Sequence, residues 1–77
     1  MKSSISEILN RFRWHPAYDF RFVKVRYIDR PKGYSEFYGE DVEKIGHKFI
    51  YLKSGAAIPV HRIVEIYYKD VVVWRRF

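Results

Sequence analysis

Several residue types are missing or scarce in this chain of 77 residues. Cysteine, threonine and glutamine are absent, and asparagine and methionine occur once each. Without cysteine the chain has no disulfide, no thiolate nucleophile and no thiolate metal site. No uncharged apolar run approaches the roughly 20 residues that a membrane-spanning helix needs, and Glu7 interrupts the stretch where a signal peptide would be apolar. These absences predict a soluble, cytoplasmic protein.

The length and the charge exclude further classes of protein. Fifteen Lys and Arg against nine Asp and Glu give a net charge of +6. A chain of this length forms one small domain, predicted over residues 1–77, with no room for a Rossmann-type or barrel enzyme. The scarcity of heat-labile side chains beside many ionic ones predicts a thermophilic source. Aromatic residues make up 19% of the chain, which supplies core volume and, where exposed, base-stacking surface.

Hydrophobic periodicity predicts one helix, at the N-terminal end. Over residues 4–12 apolar side chains recur at i, i+3, i+4 and i+7, which places them on one helical face. Ser4 and Glu7 have the spacing of a capping box, in which each side chain satisfies the backbone N–H of the other residue. Pro16 ends the segment.

Alternating patterns after the helix predict about five short antiparallel strands. They are expected at Phe20–Ile28, Tyr34–Tyr38, Lys48–Lys53, Ala57–Tyr68 and Val71–Arg75. One helix followed by such strands is an α+β domain. We expect a strongly bent sheet or a small, partly open barrel with the helix over one opening, and an Sm-like or SH3-like barrel is the nearest analogue.

The sequence offers little for catalysis. Among the three histidines, His61 is the best candidate for a general base because Arg62 beside it would hold an anion, although a histidine at a strand start is about as often structural. The histidines do not have metal-ligand spacing, no His-x-Thr or His-x-Ser pair marks a two-histidine phosphoesterase, and the four glycines do not form a phosphate loop. No cofactor and no metal are therefore predicted.

Charged residues are segregated along the chain. The acidic run Glu40, Asp41 and Glu43 reads as a solvated face, so the positive charge is concentrated elsewhere. The Asp29–Arg30 pair follows a strand end and would either form an ordinary exposed pair or offer Asp29 to a ribose hydroxyl. Arginines predominate among the cations, and their planar fork suits phosphate. Interleaved with aromatic rings, they form the combination that binds single-stranded RNA or RNA ends. The structural alternatives are that the arginines form the ion-pair surface of a thermophilic protein and that the rings fill the core of the small domain.

Four segments together resemble a known family. They are Leu9–Trp14, Tyr27–Arg30 followed by Gly33, Ile58–Ile63, and Val72–Arg76, of which the Ile-Pro-x-His-Arg-Ile segment with the later Val-Val-Trp-x-Arg is the most specific part. Over nearly its whole length the chain resembles the RNA cyclic-group-end recognition domain, found in small archaeal proteins and fused to RNA-processing or repair modules. The resemblance implies recognition of RNA ends that carry a 2′,3′-cyclic phosphate or a similar group. Members often have Asp after the motif tryptophan, where this chain has His15.

The resemblance and the residue chemistry point to the same candidate binding residues. Arg30 and Arg62 would supply forked donors to a phosphate, His61 a hydrogen bond, and Asp29 an acceptor for a hydroxyl. The terminal base would stack on the ring of Tyr27 or Trp74. Arg75 would contact an upstream phosphate. Contacts to phosphate carry no sequence information, so we expect recognition of the end or of shape.

Three functions follow in order of preference. The first is a non-catalytic RNA-end-binding module, with RNA as partner and RNA-processing or repair enzymes as associates. The second is a structural or protein-interaction barrel that oligomerises through an edge strand such as Val71–Arg75. The third is a phosphodiesterase that uses His61, which is the weakest because no second acid–base group accompanies it.

Overall fold

The structure, a computed structural model, describes residues 4–76. The extreme ends of the predicted 1–77 domain lie outside this range. One α-helix precedes seven β-strands, and three single turns of 3₁₀ helix, η1 to η3, lie among the strands. The elements are α1 (Ile5–Trp14), η1 (Phe20–Phe22), β1 (Val23–Asp29), β2 (Gly33–Tyr38), η2 (Gly39–Asp41), β3 (Val42–Ile45), β4 (Phe49–Leu52), β5 (Ala57–Pro59), η3 (Val60–Arg62), β6 (Ile63–Tyr68) and β7 (Val71–Arg75).

Helix α1 begins as its capping box predicts. The Ser4 hydroxyl accepts a hydrogen bond from the Glu7 backbone N–H at 3.1 Å, and the Glu7 carboxylate accepts from the Ser4 N–H at 3.3 Å. The helix continues two residues beyond the predicted end, to Trp14, where Pro16 stops it. Within residues 4–76 no helix has both the length and the apolar character to cross a membrane.

The strands form two antiparallel sheets. The larger sheet has the order β2-β1-β6-β7 and the smaller one has the order β3-β4-β5. The α+β class is therefore confirmed, but the prediction of about five strands is wrong, and the strands of residues 4–76 lie in two sheets rather than in the one bent sheet or partly open barrel that we expected. Pro59 lies in β5, an edge strand of the smaller sheet, where its missing N–H costs no ladder hydrogen bond.

One of the two extra strands arises because a 3₁₀ turn divides a predicted strand, and the other is β3, which was not predicted. The predicted Phe20–Ile28 strand opens with η1, and the predicted Ala57–Tyr68 strand is divided by η3. Strand β3 (Val42–Ile45) lies where the acidic run suggested only a solvated face, since Glu43 and Lys44 are exposed there while Val42 is buried. Each 3₁₀ turn leads directly into a strand whose first residue is buried.

The core lies between the helix and the inner faces of both sheets. Leu9 of the helix, Val25 and Ile66 of the larger sheet, and Ile50 of the smaller sheet are fully buried. Because side chains alternate along a strand, this inner face leaves the opposite face of the larger sheet to solvent.

Two turns shape the larger sheet. Lys69 and Asp70 join β6 to β7 with positive φ angles of 49° and 67°, so the tight turn predicted there forms without glycine. Between β1 and β2, Gly33 has φ = 101°, a conformation that favours glycine. The loop that Gly33 ends carries Arg30, which it places beyond the end of β1.

Candidate functional site

Two adjoining hollows share His61. The smaller one, which we call the small hollow, is lined by Ile28, Arg30, His61 and Arg62 and has a volume of about 260 Å³. Pockets for drug-sized ligands have roughly 300–1,000 Å³. The small hollow lies just below this range, so it has room for a compact anionic group.

The larger hollow, the basic groove, lies between α1, η3 and β7 and has a volume of about 1110 Å³. Its polar lining includes four permanent cations and two imidazoles, and its apolar lining includes three aromatic rings. These residues are Arg11, Lys48, Arg75, Arg76, His47, His61, Phe12, Phe49 and Trp74. Within residues 4–76 no Asp or Glu lines either hollow, so an anion in them meets a predominantly cationic lining.

The turn η3 projects the residues of the site into both hollows. It carries His61 and Arg62 on one turn, and Ile63 after it is fully buried. Arg76 holds this turn in place, because its guanidinium Nε donates to the Ile63 carbonyl at 2.9 Å and its Nη2 donates to the Val60 carbonyl at 3.4 Å. Arg76 is thus a positioning residue for His61.

A loop from the smaller sheet forms another wall of the basic groove. The buried Ser6 hydroxyl of α1 donates to the Gly46 carbonyl at 2.6 Å. The Lys48 carbonyl accepts from the Val60 N–H at 2.8 Å, which joins the loop to η3. His47 and Lys48 are therefore fixed between the helix and η3, and both are exposed to solvent.

The structure brings five of the predicted residues to the two hollows. Arg30, His61 and Arg62 line the small hollow, and Trp74 and Arg75 line the basic groove together with His61. Trp74 is half-buried against the core, and the Arg76 guanidinium lies 5.2 Å from the centre of its ring. One face of the Trp74 ring is accordingly already in contact with a cation.

The other two predicted residues lie elsewhere. Tyr27 packs against the core, with its ring centre 5.9 Å from that of Phe37, and it lines neither hollow. The Asp29 carboxylate accepts a hydrogen bond from the Ser35 hydroxyl at 2.6 Å. No ion pair joins Asp29 to Arg30 among those of residues 4–76, so Arg30 is not neutralised by its neighbour.

Arg75 is engaged on the other side of the sheet. Its Nε lies 2.8 Å from a Glu65 carboxylate oxygen, and the same carboxylate accepts from the Tyr67 hydroxyl at 2.9 Å. The Tyr67 hydrogen bond first, and then the Arg75 hydrogen bond, hold the pKa of Glu65 below its ordinary value, while Glu65 raises the pKa of Arg75. Arg75 is therefore only partly available to an anion in the groove.

His15 replaces the acid that the resemblance leads us to expect, and it keeps a capping role. Its Nδ1 accepts a hydrogen bond from the Ala17 backbone N–H at 3.1 Å, and its ring lies against Tyr18. Asp side chains commonly accept such a bond from the N–H two residues later. The substitution thus preserves the turn that ends α1, and His15 lines neither hollow.

Several lining residues escaped the sequence-based prediction of the site. Arg11, His47, Lys48 and Arg76 converge on the groove from α1, the loop before β4, and the end of β7. No spacing in the sequence shows this convergence, because it depends on how the two sheets pack. Within the described residues no group of three His, Asp or Glu side chains is placed to hold a metal ion.

Comparison with known proteins places this arrangement in context. Residues 1–76 match the family model described as the MJ1316 RNA cyclic group end recognition domain. A UPF0248 protein of Archaeoglobus fulgidus is 68% identical over 68 residues, which cover 88% of this chain and 99% of that protein. A UPF0248 protein of Metallosphaera sedula is 36% identical over 73 residues, covering 95% and 92% of the two chains. No solved structure matches the chain.

Proposed function

Because the chain belongs to the MJ1316 RNA cyclic group end recognition domain family, we propose that it is a non-catalytic module that binds RNA 3′ ends carrying a 2′,3′-cyclic phosphate or a similar group. Its partner is RNA, and enzymes of RNA processing or repair would act on the end that it holds. The proposal is supported chiefly by one observation. The two adjoining hollows share His61. The basic groove has six cationic or imidazole groups in its lining, and the small hollow adds two arginines. No carboxylate among residues 4–76 lines either hollow.

The terminal phosphate occupies the small hollow in this proposal. A 2′,3′-cyclic phosphate is a compact monoanion, and the volume of about 260 Å³ suits such a group. Arg30 and Arg62 are both exposed and offer planar donors, while His61 supplies a directed N–H. Neither arginine belongs to an ion pair within residues 4–76, so binding need not first break a salt bridge.

The nucleotides before the end lie in the basic groove. His61 leads from the small hollow into the groove, where Lys48 and Arg11 face the phosphates. Phe49 is 38% exposed and offers a ring face to an unstacked base. Since the contacts are to phosphates and ring faces, the nucleotide sequence matters less than the chemistry of the end.

A titration with matched RNA ends tests the proposal. One oligonucleotide is prepared with a 2′,3′-cyclic phosphate, a linear 3′-phosphate or a 3′-hydroxyl, and its affinity is measured at two salt concentrations. We expect the cyclic end to bind more tightly than the 3′-hydroxyl end, and all three to bind less tightly as salt rises. The linear phosphate carries more charge, so tighter binding of the cyclic end separates recognition of shape from simple attraction.

The variant Arg62→Ala tests whether the small hollow is responsible for the preference for the cyclic end over the 3′-hydroxyl end. It should reduce the difference between cyclic and 3′-hydroxyl ends, whereas Arg21→Ala, which removes an arginine outside both hollows, should leave that difference intact. Equal affinity of the wild type for the cyclic and 3′-hydroxyl ends would refute end recognition and leave only general RNA binding.

A second candidate function is a protein-interaction domain that uses strand β7. This strand is at an edge of the larger sheet, and Val71, Val72 and Val73 are 64%, 39% and 41% exposed. Exposed apolar edge strands pair readily with other chains. Light scattering at high salt tests this candidate, and a stable oligomer without RNA affinity would favour it over the first proposal.

A further inference from the structure

The outer face of the larger sheet carries an ordered group of aromatic and charged side chains. Strand alternation places them opposite the core-facing Val25, Phe37 and Ile66. We define the outer face by these residues: Lys24, Arg26, Tyr34, Glu36, Tyr38, Glu65, Tyr67 and Arg75. Tyr34 and Tyr38 are 54% and 45% exposed, so their rings are accessible to a ligand.

The side chains of the outer face hold one another in place. The Glu65 carboxylate is bonded by the Tyr67 hydroxyl at 2.9 Å and by Arg75 at 2.8 Å, and Arg26 lies 3.5 Å from it. The Arg26 guanidinium lies 4.5 Å from the centre of the Tyr34 ring. These contacts fix the Tyr34 and Tyr67 rings and the guanidinium planes before a ligand arrives, which lowers the entropy cost of binding.

The tyrosines are spaced for separate bases. Tyr34 and Tyr38 are four residues apart on β2, which corresponds to roughly 13 Å along an extended strand. Tyr38 and Tyr67 are aligned with Lys24 on the intervening strand, which places them two strands apart, or about 10 Å. Four-stranded sheets that expose aromatic rings in this manner stack two or three bases of single-stranded RNA.

The charge of the outer face favours stacking over phosphate attraction. Three cations and two carboxylates are present among its residues, and Lys24, Arg26 and Arg75 each lie within 4.0 Å of one of those carboxylates. The net charge is therefore close to neutral, in contrast to the basic groove. Binding at this face should depend only weakly on salt, because few counterions are released.

The outer face is continuous with the basic groove at Arg75. This residue lies on the edge strand β7, lines the groove, and belongs to the outer face through Glu65. An RNA strand whose 3′ end occupies the small hollow and whose preceding nucleotides lie in the groove would leave the groove past β7 and reach the tyrosines. We propose that the outer face is a second binding surface, which stacks bases of the single-stranded RNA upstream of the bound end. For the class of ligand, this proposal rests on the function proposed above.

Two oligonucleotides with the same 3′ end test this surface. One fills only the groove, and the other is extended at its 5′ end by several nucleotides. The wild type should bind the extended RNA more tightly, and the double variant Tyr34→Ala/Tyr38→Ala should lose about tenfold of that gain for each ring that stacks a base. The gain of the wild type should persist at high salt. Tyr51→Ala is the matched control, since Tyr51 is a strand tyrosine that is 41% exposed but lies on the smaller sheet.

Further arms separate the possible outcomes. The conservative variant Tyr34→Phe/Tyr38→Phe keeps both rings and should retain the gain, which guards against a failure of the alanine variant to fold. Repeating the series with 3′-hydroxyl ends tests this surface separately from the proposed function. If the 5′ extension increases the affinity but the protein shows no preference among the 3′ ends, the proposed function is refuted while the second surface is supported. A double alanine variant that folds and binds both lengths like the wild type would overturn the inference and leave the face to a protein partner. The inference would also be overturned if the tighter binding of the extended RNA vanished at high salt, or if Tyr51→Ala abolished it to the same extent as the double alanine variant.

Discussion

Two lysines at opposite ends of one strand give a direct test of the basic groove. Lys48 precedes β4 and lines the groove, whereas Lys53 follows β4 and lines neither hollow. Both are exposed, and replacing either one by alanine changes the net charge equally. Five residues of extended chain separate them by about 17 Å, which exceeds the Debye length of about 10 Å at 0.1 M salt. A phosphate bound beside Lys48 is therefore largely screened from Lys53.

The expected magnitude follows from counterion release. Each phosphate neutralised on a single strand contributes about 0.7 to the slope of log K against log salt, so Lys48→Ala should reduce the slope by about 0.7 and weaken binding about fivefold near 0.1 M salt. Lys53→Ala should change neither quantity appreciably. Fluorescence anisotropy with a labelled single-stranded RNA, measured over a series of salt concentrations, provides both numbers.

The contrast between the two variants decides the matter. Equal losses in Lys48→Ala and Lys53→Ala would mean that RNA responds to total charge and that the groove has no special role. An unchanged slope in Lys48→Ala would remove the loop before β4 from the interface. Circular dichroism of both variants controls for folding, because the hydrogen bond between Lys48 and Val60 uses the Lys48 backbone carbonyl and survives the substitution.

Further predictions concern stability and the absence of catalysis. A Cβ added at Gly39 would lie 1.8 Å from the Phe20 carbonyl oxygen, so Gly39→Ala should lower the free energy of unfolding by roughly 1–3 kcal/mol or more in a denaturant titration. Leu9 is fully buried, and Leu9→Ala should cost about 2–5 kcal/mol in the same assay. Since the folded-state pKa of Glu65 is lowered from 4.5, its stabilising contribution is present above that pH and is lost as the pH falls below it; Glu65→Gln should flatten this part of the stability profile. Labelled RNA incubated with the protein should stay intact, and cleavage that disappears in His61→Ala would show that the protein is an enzyme.

The parts of the fold that sequence could predict are those with a sustained local pattern. The helix follows from its apolar spacing and its capping box, and the β6–β7 hairpin follows from alternation on both sides of Lys69 and Asp70. Strand β3 has only four residues and exposes two charged side chains among them, so it leaves too short a pattern to detect. A 3₁₀ turn of three residues has no periodicity of its own, which is why η1 and η3 were absorbed into predicted strands.

The candidate site shows the same division between local and distant information. Arg30, His61 and Arg62 were predicted from short motifs, and the structure places them around one hollow. Tyr27 was predicted as a stacking ring on the same grounds, but its position on β1 turns it toward Phe37 and the core. Lys48 lies in a segment without a motif and reaches the site only through the packing of the smaller sheet against the helix.

The turn η3 connects the failure of the strand prediction with the chemistry of the site. In an uninterrupted strand from Ala57 to Tyr68, His61 and Ile63 would point to the same face, because side chains alternate with a period of two. In the structure they differ, since His61 lines both hollows while Ile63 is fully buried in the core. One turn of 3₁₀ helix breaks the alternation of side chains between His61 and Ile63, so that the two can point in different directions. The hydrogen bonds from Arg76 to the carbonyls of Val60 and Ile63 hold that turn against β7. Departures from regular patterning are expected at functional sites, and here the break in the pattern falls on His61 and Arg62, which are among the residues that line the hollows.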